Sequence, residues 1–91
     1  MQIKFENITT EWVALSDIIT VSEDVTYFIQ NRGYDILVAL ESSSEPSDDT
    51  EGGVLISPYI QAIYKKDEQE LYLRAFSNTC SLNITSGGAN D

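Results

Sequence analysis

Val25-Thr26-Tyr27-Phe28-Ile29-Gln30-Asn31-Arg32-Gly33-Tyr34-Asp35-Ile36-Leu37-Val38-Ala39-Leu40-Glu41 is the stretch whose reading decides the fold class. Before Asn31-Arg32-Gly33, residues Val25, Tyr27 and Ile29 share one parity and Phe28 takes the other. After it, Tyr34, Ile36, Val38 and Leu40 alternate with Asp35, Leu37, Ala39 and Glu41. A period of two over such lengths is the mark of a β-strand. Asn and Gly both tolerate positive φ, so the three residues between the runs predict a hairpin loop closed by Gly33 in the left-handed conformation. Apolar side chains on both parities predict that this pair is central and covered on both faces.

Upstream, residues 1–10 read as an N-terminal arm that either forms a short strand through Ile3, Phe5 and Ile8 or orders against a neighbour. Trp12, Val13 and Leu15, then Ile18, Ile19 and Val21, predict two short strands with Ser16-Asp17 as the turn, β-branched residues favouring strand over helix. Downstream, residues 42–53 form one long polar loop. No apolar residue lies between Leu40 and Val54, so this segment adds nothing to a core. Val54-Leu55-Ile56 resumes the sheet and Ser57-Pro58 ends it, since proline cannot donate to a ladder. Residues 59–64 read as a strand, with Ile60, Ala62 and Tyr64 on one parity and one helical turn as the alternative, and 65–69 as a charged hairpin turn. Two more alternating runs follow, through Leu71, Leu73 and Ala75 and through Leu82 and Ile84, before a flexible polar tail at 87–91. About eight short strands punctuated by turn residues predict an all-β single domain over 11–86, an antiparallel β-sandwich or a small barrel.

The 91 residues carry 15 acidic and 5 basic side chains, a net charge of −10. Phosphate binding needs clustered Lys and Arg, so nucleic acid is excluded as an expected partner. The sequence holds no histidine and a single cysteine, Cys80, which removes the usual general base, the Ser-His and Cys-His nucleophile pairs, and a tetrahedral zinc site. A lone cysteine also forms no intrachain disulfide and fits assembly in a reducing cytoplasm. No basic-then-apolar leader opens the chain and no run nears the ~20 apolar residues of a membrane span. The expectation is a non-enzyme without cofactor.

Two sets of side chains remain as candidates. Glu45, Asp48, Asp49 and Glu51 in the polar loop could gather oxygens around calcium, although their spacing is not that of an EF-hand and a solvated disordered loop explains them better. Trp12, Tyr27, Tyr34, Tyr59, Tyr64 and Tyr72 are amphipathic aromatics that fill a core or, if several share one exposed face, make a protein interface or a sugar-stacking platform. Arg74, a charge on an otherwise apolar-alternating strand, joins them as an anchor or as half of a surface pair.

Tyr27-Phe28-Ile29-Gln30-Asn31-Arg32-Gly33, the run 36–39, the polar loop closed by Gly52-Gly53-Val54-Leu55-Ile56, and Leu71-Tyr72-Leu73-Arg74-Ala75 follow one another in an order that resembles small β-sandwich virion proteins of tailed bacteriophages. The resemblance spans roughly residues 11–85 and rests on order and spacing. It implies a capsid decoration, head-fibre or tail-attachment protein, assembled in the host cytoplasm and resident in the virion. Its partner would be the major capsid or tail protein, bound as a symmetric oligomer such as a trimer. A carbohydrate-binding or host-adhesion module, with exposed aromatics and calcium in the loop, is the competing expectation. A third is an acidic mimic of nucleic acid.

Overall fold

The computed structural model describes residues 3–23, 25–47, 52–66 and 69–88. Among these, eight strands and one helical turn follow in the order β1 (Ile3–Ile8), β2 (Val13–Ala14), α1 (Leu15–Ile18), β3 (Val25–Asn31), β4 (Leu37–Ser42), β5 (Val54–Ile56), β6 (Gln61–Lys65), β7 (Glu70–Ala75) and β8 (Cys80–Gly88). They form two four-stranded antiparallel sheets, β1-β8-β3-β6 and β2-β7-β4-β5, packed face to face. The fold is an all-β sandwich, and the barrel alternative falls because the two sheets remain separate.

Alternation determines what each sheet buries. On β7, Leu71, Leu73 and Ala75 are buried and Tyr72 and Arg74 lie on the other face. On β8, Cys80, Leu82, Ile84 and Ser86 point inward. Tyr27 and Ile29 of β3, Leu37 and Ala39 of β4, Ile56 of β5 and Tyr64 of β6 complete the interior. β3 and β4 are interior strands of their sheets, as their two-sided apolar pattern demands.

The hairpin expected at 31–33 does not form, because β3 and β4 belong to different sheets and residues 32–36 carry the chain from one to the other. Asn31 makes the difference. Its side chain is fully buried, and Nδ2 donates to the carbonyls of Asp35 (2.8 Å) and Ile56 (3.0 Å), so it ties the end of β3 to the opposite sheet. Gly33 does not take the left-handed conformation, which among the described glycines belongs to Gly53. Its need is space, since a Cβ there would lie 2.9 Å from the backbone nitrogen of Ser81. Residues 65–69 likewise form no hairpin turn, as β6 and β7 lie in different sheets; Asp67 and Glu68 are outside the described residues.

The second strand expected at 18–21 is also absent. Leu15–Ile18 is one helical turn, closed by the Ile19 N–H donating to the Leu15 carbonyl at 3.0 Å. Leu15, Ile18 and Ile19 stand at i, i+3 and i+4, so a single turn brings all three against the core, and this burial outweighs the strand preference of two isoleucines. β1 is an edge strand on β8 from Ile3↔Thr85 to Ile8↔Cys80, so residues 3–8 of the expected arm are part of the sheet. β8 continues to Gly88, and Gly87 and Gly88, expected in the flexible tail, pair with Thr26 and Val25. Residues 89–91 lie outside the described segments.

Candidate functional site

The seven residues expected at an interface do not share a surface. Tyr27 and Tyr64 are core residues with ring centroids 6.4 Å apart. Their hydroxyls are satisfied inside the chain: Tyr27 accepts from the Ser22 N–H (2.7 Å) and donates to the Thr20 carbonyl (3.3 Å), and Tyr64 donates to the Gln69 carbonyl (2.6 Å). Trp12 is 7% exposed. The Arg74 guanidinium lies 5.0 Å from its ring centroid, and its Nε1 donates to the Ser47 carbonyl at 3.2 Å. Trp12, Arg74 and half-buried Tyr72 therefore belong to the outer face of the β2-β7-β4-β5 sheet, where the first half of the polar loop is tied back onto its own chain.

Tyr34 and Tyr59 are exposed, at 96% and 61%. Tyr59 follows Pro58 in a turn closed by the Ile60 N–H on the Ser57 carbonyl (3.1 Å), and its φ of 68° puts a bulky residue in the left-handed region. Such a conformation persists only when the surroundings hold it. Here the Asn31 carbonyl accepts from the Tyr59 N–H, Gln30 Nε2 donates to its carbonyl at 3.0 Å, and Arg32 stands 5.9 Å from its ring centroid. The set of rings that a sugar-stacking platform requires is thus divided between core, sheet face and loop.

Of the four acids considered for calcium, Glu45 is exposed and Asp48, Asp49 and Glu51 lie outside the described residues. Among the described residues no group of three or more His, Cys, Asp or Glu side chains is placed to hold a metal ion. Cys80 is buried, its thiol donating to the carbonyls of Ile36 (3.3 Å) and Asp35 (3.6 Å). Burial, and next the negative charge of Asp35, push its pKa up to about 11, so the nucleophilic thiolate is suppressed at neutral pH. No described helix is long and apolar enough to cross a membrane.

The feature that the sequence did not disclose is a seam. β6 ends one sheet and β5 ends the other, and a groove of about 390 Å³ opens between these two edges. Val54, Leu55, Ile56, Ile60, Ile63 and Tyr64 line it, with Glu41 the one charged lining residue among those described. Four of these aliphatic side chains face solvent: Val54 (65%), Leu55 (59%), Ile60 (56%) and Ile63 (67%). Parity explains Ile63, since Ala62 and Tyr64 take the inward positions of β6 and leave it on the outer face beside Phe28. The signal was available in the apolar run 54–56, too short to be a covered central strand yet apolar on both parities.

The opposite edge of the β1-β8-β3-β6 sheet has a different character. Lys4 and Glu6 of β1 occupy positions of the core-facing parity, opposite Ile84 and Leu82, and pair with each other at 3.9 Å. Charged side chains at such positions of an edge strand oppose the addition of another strand. Between β1 and β2 lies a cleft of about 360 Å³ that includes Glu6, Glu11 and Asp17. The β1 edge is guarded and the β5–β6 seam is open. In comparison with known proteins, the chain matches no family model, no curated protein and no solved structure.

Proposed function

We propose that this protein is a non-enzymatic assembly module that acts by docking protein surface against its β5–β6 seam, and that the assembly it serves is a tailed-phage virion. The observation that carries the docking reading is the conjunction of exposed Val54, Leu55, Ile60 and Ile63 with two sheet edges that end at the same groove. An apolar patch of this kind on a small, strongly charged chain marks an interaction site. The absence of histidine from the sequence and the protonated state of Cys80 support a role without covalent or acid–base chemistry. The virion assignment rests on the ordered resemblance of residues 11–85 described above, and capsid decoration or head–tail attachment is its most specific form.

The test is mass spectrometry of gradient-purified particles from cells that produce the protein. The chain is expected in fixed ratio to the major capsid or tail protein. Its confinement to the soluble lysate, with none in intact particles, overturns the virion reading. The carbohydrate reading draws no support from the geometry, because Trp12, Tyr27 and Tyr64 are enclosed by their own chain.

A further inference from the structure

We infer that the occupant of the β5–β6 seam is a second copy of this chain, joined edge to edge through β6 about a two-fold axis at Ile63. The inference rests on the docking role given to the seam above and names its partner.

Charge restricts which faces can meet. Each copy carries −10, so contact through the β1–β2 cleft would oppose Glu6, Glu11 and Asp17 to their own kind. At the seam fewer like charges would face each other among the described residues. Lys65 and Lys66 follow Tyr64 directly, and Glu41 is the one acid among the described lining residues.

The register of β6 is self-complementary. The strand runs Gln61–Lys65 with Ile63 at its centre, and among the described residues its outer edge has no neighbour in the sheet. Antiparallel pairing with its own copy sets Ile63 against Ile63 and Lys65 against Gln61, so no like charges stand directly opposite. The result is one eight-stranded sheet running through both copies, with β1 at each far end. A two-fold contact is isologous and uses one patch twice, which is what a single open seam provides.

Size sets the strength. The four exposed side chains offer on the order of 400 Å² of apolar surface per copy, which places the contact at the small end of specific interfaces. The dimer is therefore expected to be weak and concentration-dependent.

Analytical ultracentrifugation of the whole chain over a wide concentration range tests this. A monomer–dimer equilibrium is expected, weakened about tenfold or more by Ile63→Lys and by Leu55→Lys, both at exposed positions that leave the fold intact by circular dichroism. Phe5→Lys, on the guarded β1 edge, is expected to leave it unchanged. Amide exchange of 61–65 is expected to slow as concentration rises. A monomer at every concentration overturns the inference, and so does a dimer indifferent to both seam variants or a closed trimer. The docking reading is separated by particle recovery: Ile63→Lys lost from particles while the parent chain is always monomeric leaves the seam as a docking site and removes the second copy from it.

Discussion

Asp35 fixes one end of the sandwich through a single carboxylate. Its oxygens accept from the backbone N–H groups of Ile36 (2.8 Å), Ser77 (2.8 Å) and Asn78 (2.7 Å) and from the Ser77 hydroxyl (3.0 Å). Two links between the sheets, 32–36 and 76–79, are thereby held together. Partial burial pushes the carboxyl up, but the donors together outweigh it and its pKa lies below the ordinary value. A depressed native pKa contributes stability that is complete above the unfolded value of about 3.9 and lost as pH falls through the native one. Asp35→Asn turns an NH₂ group toward N–H donors and is expected to cost about 1.5–3 kcal/mol at neutral pH. Denaturant titrations should show that gap narrowing below about pH 4; a gap constant down to about pH 2 would mean the charge is not what matters. Cys80, against the same corner, is expected to resist thiol reagents at neutral pH in the folded protein and to react on unfolding. Rapid labelling of the native state would show that the corner opens.

At the scale of elements, Trp12 shows how β2 is joined to the polar loop. Its indole N–H on Ser47 and its ring beneath Arg74 make a small outer layer on a sheet face that would otherwise lie bare. Trp12→Phe removes the hydrogen bond and weakens the cation contact, with an expected loss of about 1–2 kcal/mol. Limited proteolysis within 43–53 should quicken more than that loss explains, and unchanged cleavage would show that Ser47 is held by something else. Much of the strand content was legible: Leu71, Leu73 and Ala75 alternate cleanly, and so do Leu82 and Ile84. Which strands pair was not. Asn31-Arg32-Gly33 carries hairpin chemistry, yet Asn31 spends its amide on Ile56 of the other sheet, a contact 25 residues away that no local pattern encodes. Leu15, Ile18 and Ile19 hid a helical turn because their β-branched neighbourhood favoured strand. The seam was only hinted at by the run 54–56, as exposure of Leu55 and Ile63 follows from β5 and β6 being the last strands of their sheets.

Across the whole molecule, none of the described acids lies in the buried core, whose polar members are Asn31 and Ser86. A net charge of −10 is thus carried with no described carboxylate in the core. The same distribution leaves Glu41 as the one charge among the described residues that line the seam. The order β1-β8-β3-β6 has one more consequence, in time rather than in space. β8 is made after all its partners, yet it stands between two of them. At about 5–20 residues per second, a ribosome takes several seconds to go from the end of β3 to the end of β8. During that interval Tyr27 and Ile29 lack the strand that closes their sheet. Pairings so distant along the chain fold slowly, on the scale of milliseconds to seconds. The nascent chain, more than the finished sandwich, is the form most exposed to aggregation, and a holding chaperone would find its client there.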